Sequence, residues 1–185
     1  MSSADPRLRA LLKLAPVIPV YTPEDVNEAV EVAQALFRGG LPVIEVTLRT
    51  PQALDAIKAM VEAVPDAVIG AGTVLNAAQM QAAKQAGARF AVSPGATPAL
   101  YAAARDADLP YLPGAATASD LIQGLEHGAD TFKFFPAVQA AAPRCWPPGT
   151  ARSPMCASAR PAASARRPRR SSCTCPTCCA WAVRG

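Results

Sequence analysis

Lys133 is the residue of this chain whose surroundings most favour covalent chemistry. It lies in the segment Thr131-Phe132-Lys133-Phe134-Phe135-Pro136, with an aromatic residue on each side. Desolvation disfavours the ammonium form of a lysine and therefore favours the neutral, nucleophilic amine. Such an amine can attack a ketone and form a Schiff base. Taken alone, the same lysine could instead be a strand-end side chain that extends its charge to solvent.

The elements around this lysine follow a regular alternation. From Pro16 to Phe135, short β-branched runs alternate with alanine-rich helical runs, which predicts an α/β fold of parallel strands joined by crossover helices. The predicted helices lie near residues 24–38, 51–64, 76–86, 97–106 and 118–127. Six strands are predicted, at 17–20, 43–48, 68–73, 89–94, 111–114 and 131–135.

Local signals predict where these helices begin and end. Thr22-Pro23 and Thr50-Pro51 each place a hydroxyl at a predicted N-cap with proline at the first helical position. Glycines mark the C-terminal ends, and His127 is interpreted as a helix cap because it precedes one of them. These glycines are Gly39-Gly40, Gly87 and Gly128.

Polar residues cluster at the predicted C-terminal strand ends, which form the catalytic face of a closed β/α barrel. They are Glu45, Arg49, Thr73, Ser93, Thr117 and Lys133. An open sheet would also place its site there, but no glycine-rich dinucleotide fingerprint follows Val20. The sequence therefore predicts a (β/α)8 barrel of which six strands are recognisable and two are missing.

Composition divides the chain just after Lys133. The 185 residues suit one domain. Residues 1–136 hold ten Lys and Arg against fourteen Asp and Glu, a charge of −4, whereas residues 137–185 hold eight Arg and no acid, +8. All six cysteines lie in the second part, which also contains no Leu, Ile or Phe. We therefore expect an incomplete barrel domain over 1–137 and a tail over 138–185 that cannot form a core.

Three segments together resemble a known enzyme family. They are Glu45-Val46-Thr47-Leu48-Arg49-Thr50, Gly70-Ala71-Gly72-Thr73-Val74-Leu75-Asn76 and Phe132-Lys133-Phe134-Phe135-Pro136-Ala137, with Phe90-Ala91-Val92-Ser93-Pro94-Gly95 in support. They resemble the class I aldolases that cleave 2-keto-3-deoxy-6-phosphogluconate (KDPG) and that often also act on 4-hydroxy-2-oxoglutarate (KHG). The resemblance covers about residues 10–137.

The resemblance implies a role for each matching residue. Lys133 would form the Schiff base, Glu45 would be the general acid and base, Arg49 and Thr73 would hold the substrate carboxylate, and Pro94 and Phe135 would shape the pocket. It also implies a homotrimer that needs no metal or cofactor and that acts on a small keto acid. Nothing in residues 1–137 suggests a nucleic-acid or membrane partner or a secretion signal, since Met1 to Arg9 is polar. A cytoplasmic protein is expected.

Each of these residues also has a structural interpretation. Glu45 in an apolar strand could be one partner of a structural ion pair. Arg49 could be a surface charge, and Thr73 could be a helix-capping hydroxyl. A non-catalytic barrel fragment with a basic tail is thus the alternative to the aldolase.

The tail is interpreted as an out-of-frame translation. Residues 155–165 and 173–184 can both be written in codons that one shifted frame reads as Val-Arg-Phe-Cys-Pro-Thr-Gly-Gly-Ile-Ser and Leu-His-Leu-Pro-Asn-Val-Leu-Cys-Val-Gly-Gly-Ser. These products resemble the family's last two strands with their phosphate-binding glycine turns.

Two other interpretations of the tail are weaker. A zinc site lacks regular cysteine spacing and a nearby histidine, and a nucleic-acid arm lacks interleaved aromatic residues. As written, the tail composition predicts disorder.

Overall fold

The computed structural model describes residues 5–137, so the predicted tail over 138–185 lies outside the described residues. Helices and strands alternate through this part of the chain, as predicted. None of the helices described is long and apolar enough to span a membrane. In chain order the elements are α1 (Pro6–Leu12), β1 (Val20–Tyr21), α2 (Val26–Arg38), β2 (Val43–Thr47), α3 (Ala53–Ala63), β3 (Val68–Gly72), α4 (Ala77–Gln85), β4 (Ala91–Val92), α5 (Pro98–Asp106), β5 (Tyr111–Leu112), β6 (Gly114–Ala115), α6 (Ala118–Glu126) and β7 (Lys133–Phe134).

The strands pair in the order in which they occur along the chain. Strands β1 to β5 form one parallel sheet, and β6 pairs with β7, also in parallel. Only Pro113 separates β5 from β6, and its carbonyl accepts a hydrogen bond from the backbone N–H of Lys133 at 2.9 Å. These two short strands are therefore one barrel strand interrupted at a proline. The fold is α/β, and residues 5–137 form the first six strands of a (β/α)8-type barrel.

Apolar side chains pack on both faces of the sheet. One core lies between the strands and the helices and includes Ile44, Val46, Ile57 and Met60. A second core fills the inside of the barrel, where residues from several strands meet the N-terminal helix. This second core consists of Val43, Val68, Phe90, Val92 and Leu112 with Leu8 of α1.

Helix α1 was not predicted, because the first nine residues were interpreted only as a polar segment. Asp5 is its N-cap, and its side chain accepts a hydrogen bond from the backbone N–H of Arg7. Pro6 occupies the start of the helix. Leu8 is 5% exposed and covers the inner core. The Asp-Pro pair was the signal that could have revealed this helix.

The two predicted threonine N-caps are wrong. Helix α2 begins at Val26, and its N-cap is Asp25. Helix α3 begins at Ala53, and its N-cap residue, Gln52, forms no capping hydrogen bond with its side chain. The threonines are engaged elsewhere: Thr50 Oγ1 donates to the carbonyl of Pro23 at 2.6 Å, and the hydroxyls of Thr22 and Thr47 lie 2.8 Å apart. Because these hydroxyls form hydrogen bonds with residues distant in the sequence, they do not cap the helices that follow them.

The predicted helix ends at glycines are confirmed. Gly40, Gly87 and Gly128 have φ values of 83°, 92° and 85°, in the left-handed region that a side chain disfavours. His127 is the C-cap residue of α6, as predicted. Its ring also stacks on Tyr101, with the ring centroids 4.6 Å apart.

Candidate active site

Lys133 and Glu45 form a direct, largely buried ion pair. Lys133 Nζ donates hydrogen bonds to Glu45 Oε1 at 2.8 Å and to Oε2 at 3.1 Å. Only 4% of the Glu45 side chain and 13% of the Lys133 side chain are exposed. Two buried charges of this kind persist because each compensates the other, and removal of one partner would leave the other uncompensated.

The barrel fold explains how residues 88 positions apart come together. Glu45 lies on β2, the second barrel strand, and Lys133 lies on β7, the sixth. Inward-pointing side chains of alternate strands fill the same layer of a barrel, so residues of the second and sixth strands meet across its interior. Strand alternation places Val43, Glu45 and Thr47 on one face of β2. The helices that connect successive strands account for the 88 positions that separate the two residues along the chain.

The aromatic environment of Lys133 differs from the one inferred from the sequence. Neighbours along a strand point to opposite faces, so the flanking phenylalanines do not surround the amine. The ring of Phe132 instead packs against Gly124 of α6, and Phe132 is 5% exposed. The ring near the amine is Phe135, whose centroid lies 5.6 Å from Nζ. The Lys133 amine therefore contacts a carboxylate and lies near one aromatic ring, whereas the sequence predicted that aromatic residues would surround it.

The remaining predicted site residues lie at the ends of neighbouring strands. Thr73 directly follows β3, and Arg49 and Pro94 each lie two residues past the ends of β2 and β4, all at the same C-terminal face. Arg49 is exposed, and the ion pairs formed within residues 5–137 do not involve it. The backbone of Pro94 lies close against Gly114 of β6. The structure thus brings Lys133, Glu45 and Phe135 together and holds the other three on the same face.

Thr73 has an unusual backbone conformation, with φ at 59°. A β-branched residue in the left-handed region is strained, and such strain persists only where the surroundings enforce it. The next residue, Val74, donates its N–H to the carbonyl of Val92 at 3.1 Å and is fully buried. Thr73 is therefore the residue at which the chain turns at the end of β3. Backbone strain of this kind often accompanies a functional position.

Two hydroxyl pairs that were not predicted from the sequence connect neighbouring strands of the barrel. The Thr22 and Thr47 pair ties the end of β1 to the end of β2, next to Arg49. Ser93 is fully buried, and its hydroxyl lies 2.5 Å from that of Tyr111. Burial raises the pKa of the Tyr111 hydroxyl, an effect that the hydrogen bond to Ser93 partly offsets. The members of these pairs are 25 and 18 positions apart, about one βα repeat, and that spacing of hydroxyl residues could have predicted the pairs.

Within residues 5–137 no group of three or more His, Cys, Asp or Glu side chains is placed to hold a metal ion. The site described above consists of one amine, one carboxylate and neighbouring neutral groups. This arrangement can exchange a proton across the 2.8 Å hydrogen bond from Nζ to Oε1, which would produce a neutral amine and a neutral carboxylic acid.

The family model of the KDPG and KHG aldolases matches residues 8–142. The chain belongs to this aldolase family. Among curated relatives, the KHG/KDPG aldolase of Escherichia coli is 48% identical over 128 residues, which are 69% of this chain and 60% of the relative. The 2-dehydro-3-deoxy-phosphogluconate aldolase of Zymomonas mobilis is 55% identical over 130 residues, which are 69% of this chain and 61% of the relative. The chain thus spans about three fifths of the length of these relatives.

Solved structures of KDPG aldolases share this fold. The Zymomonas mobilis enzyme with 3-phosphoglycerate matches with a TM-score of 0.70 and 52% identity, over 72% of this aldolase chain and 63% of that one. The Legionella pneumophila enzyme, in which pyruvate was captured as a covalent carbinolamine intermediate, matches with a TM-score of 0.70 and 45% identity over 72% and 65% of the two chains.

Proposed function

We propose that this aldolase chain acts through a Schiff base at Lys133 and cleaves 2-keto-3-deoxy-6-phosphogluconate to pyruvate and glyceraldehyde 3-phosphate. The observation that carries the proposal is the buried contact of 2.8 Å between Lys133 Nζ and Glu45 Oε1. It places a nucleophile beside the acid and base that imine chemistry requires. The pyruvate adduct captured in the Legionella relative supports the same chemistry here.

Imine formation uses both members of the pair. Transfer of a proton from Lys133 to Glu45 frees the amine lone pair, which attacks the ketone carbon C2 of the substrate. Glu45 returns this proton to the oxygen, which gives the carbinolamine hydroxyl. It then takes a second proton from the nitrogen and delivers it to that hydroxyl, which leaves as water. The product is an iminium ion with its nitrogen bonded to C2, and the carboxylate is again ionised.

Cleavage then uses the iminium ion as an electron sink. Glu45 removes the proton of the C4 hydroxyl, the C3–C4 bond breaks, and its electron pair moves into an enamine conjugated with the lysine nitrogen. Glyceraldehyde 3-phosphate leaves as the aldehyde. Glu45 next protonates C3, and water hydrolyses the imine to pyruvate and the free amine. General acid and base catalysis of this kind contributes about 10²–10⁴-fold.

Four further residues are proposed to bind the substrate. Arg49 offers a planar guanidinium for bidentate contact with the pyruvyl carboxylate, and the hydroxyl of Thr73 completes that contact. Pro94 and Phe135 are proposed to limit the space around the imine. Their positions at the C-terminal ends of strands β2, β3, β4 and β7 support these roles.

The relatives also support a second substrate and an assembly. The name of the Escherichia coli relative pairs KHG with KDPG, so we propose that 4-hydroxy-2-oxoglutarate is cleaved to pyruvate and glyoxylate at the same site. A homotrimer in the cytoplasm is proposed on the family resemblance. Analytical ultracentrifugation tests the assembly, and a monomer over the working concentration range would contradict it.

Borohydride trapping tests the function directly. The 185-residue chain is incubated with pyruvate and sodium borohydride, and peptide mass spectrometry locates the reduced adduct. We expect an adduct on Lys133 that disappears in Lys133→Arg and persists in Lys84→Arg. Lys84 is a suitable control because its Nζ donates to the carbonyl of Asp108 in an exposed contact, whereas Lys133 Nζ donates to the buried carboxylate of Glu45.

The outcome separates the aldolase from the non-catalytic fragment. A specific adduct together with cleavage of the phosphorylated keto acid supports the proposal. No adduct, or equal labelling of several lysines, would contradict a formed site and favour the fragment with a basic tail.

We further propose that residues from about 138 onward are translated out of frame and replace the last two barrel strands. The loss of all Leu, Ile and Phe after Phe135 supports this, as does a family match that ends at residue 142 of 185. The nucleotide sequence of the gene is the test. If no shifted frame encodes the two glycine turns, the proposal is wrong.

A further inference from the structure

We infer that Gly72 is a positioning residue whose missing side chain leaves the space through which Glu45 reaches Lys133. A Cβ atom at Gly72 would lie 2.4 Å from Glu45 Oε1, 2.7 Å from Cγ and 2.9 Å from Cδ. Side-chain atoms do not approach this closely, since carbon contacts are optimal near 3.5–4.0 Å. The Glu45 side chain therefore lies directly across the backbone of Gly72.

Space, and not backbone freedom, is the reason for glycine at this position. Gly72 is the last residue of β3, and it is not among the glycines with left-handed φ values. Any residue could adopt its strand conformation. An alanine there would be acceptable to the backbone but would occupy the volume of a catalytic side chain.

Strand β3 is held on both sides and cannot withdraw from Glu45. The carbonyl of Gly72 accepts from the N–H of Leu48 at 2.8 Å, and the N–H of Ala71 donates to the carbonyl of Phe90 at 2.9 Å. The side chain of Glu45 must therefore move instead. Its closest atom, Oε1, is the atom that accepts the 2.8 Å hydrogen bond from Lys133, so displacement removes the contact itself.

Gly70 provides a matched control on the same strand. It lies two residues earlier and faces the same side, where a Cβ atom would lie 2.3 Å from the ring of Phe90. The steric conflict is equally severe, but its partner belongs to the apolar inner core. Although Gly70 is the register partner of Glu45, the three atoms nearest to its added Cβ all belong to the Phe90 ring, so a substitution there tests a conflict with the apolar core.

The consequence for catalysis rests on the proposed function of the pair. If Glu45 acts with Lys133, Gly72→Ala lowers the rate of pyruvate trapping to nearly the level of Glu45→Ala. The same change in a Glu45→Ala background causes little further loss, because the side chain that it displaces is already absent. A residue with a merely structural role would lower the rate by the same factor in both backgrounds.

A double-mutant cycle on the 185-residue chain tests the inference. Thermal unfolding and the initial rate of trapping are measured for Gly72→Ala, Glu45→Ala and their combination, and for Gly70→Ala with and without Glu45→Ala. We expect Gly72→Ala to lower the melting midpoint by several degrees, and the double variant to melt as Glu45→Ala does. Gly70→Ala should lower the midpoint equally in both backgrounds. Coupling between contacting residues is what such a cycle measures.

The readouts separate failure of this inference from failure of the proposed function. If the parent chain unfolds cooperatively but never traps pyruvate, the aldolase proposal fails while the melting cycle still decides the role of Gly72. If Gly72→Ala does not fold alone, recovery of folding in the double variant supports the inference. Equal effects of Gly72→Ala with and without the Glu45 side chain would overturn it.

Discussion

Two layers of side chains inside the barrel differ in polarity although the same strands supply both. Strand β2 gives Val43 to an apolar layer beneath Leu8, and two residues later it gives Glu45 to the layer that contains Lys133. Strand β3 repeats this step, with Gly70 against a phenylalanine ring and Gly72 against a carboxylate. The apolar layer needs only complementary volume, whereas the polar layer needs each charge to meet its partner.

The largest expected effect lies in the polar layer. Glu45→Gln should lower the rate of aldol cleavage by about 10²–10⁴-fold, because the amide cannot accept or return the proton. Steady-state kinetics on the keto-acid substrate measures this change. Glu62→Gln on the exposed face of α3 makes the same chemical replacement and should leave the rate unaltered. A rate close to that of the parent chain for Glu45→Gln would remove the distinction between the layers.

The apolar layer should respond in stability and not in chemistry. Phe90 is 1% exposed, and Phe90→Ala should lower the free energy of unfolding by about 3–5 kcal/mol. Chemical denaturation measures this loss. At a temperature where the variant remains folded, we expect pyruvate trapping at Lys133 to continue. Loss of trapping in the folded variant would show that the apolar layer also sets the geometry of the pair.

Tyr111→Phe tests a polar contact in the outer core, where no ion pair is involved. The change leaves the buried hydroxyl of Ser93 without its partner and should cost about 1–3 kcal/mol near neutral pH. Burial raises the pKa of Tyr111 above its usual value and that of Tyr101 to about 12.

The pH dependence of this effect has a defined sign. The unfolded chain ionises these tyrosines near pH 10, while the folded chain keeps them neutral, so stability is present below about pH 10 and falls above it. Tyr111→Phe removes one such group, and the stability difference from the parent should therefore shrink as pH rises. Urea unfolding between about pH 8 and 11 measures it. A difference that grows with pH would contradict the prediction.

The smallest effect is expected at Thr73, where strain and proposed binding oppose each other. Thr73→Gly relieves a left-handed φ of 59° and should raise the free energy of unfolding by roughly 0.5–1 kcal/mol. It also removes the hydroxyl proposed to hold the carboxylate, so pyruvate should bind more weakly. Thr73→Ala keeps the strained Cβ and loses the hydroxyl and the γ-methyl group, so it should weaken binding with less gain in stability than Thr73→Gly. Equal stability of the two variants would show that the Cβ atom at this position stores no strain.

Sequence patterns predicted the repeating elements because their signals are local. The run at 43–48 corresponds to β2 at Val43–Thr47, and the glycine-terminated helices end where predicted. The predicted caps at Thr22 and Thr50 failed for a different reason. Their hydroxyls bond to Thr47 and to the carbonyl of Pro23, which lie more than 20 residues away. A prediction of N-caps from adjacent residues does not include hydrogen-bond partners that are distant in the sequence.

The sequence alone determined the family, the order of strands and the identity of the pair Lys133 and Glu45, because motif, periodicity and residue type are properties of adjacent positions. Tertiary structure decided what surrounds the amine: a carboxylate at 2.8 Å and the ring of Phe135, with Phe132 turned toward α6. It also decided that Gly72 must lack a side chain. Both results depend on strands that meet across a closed barrel, and such distances are fixed only when the chain folds.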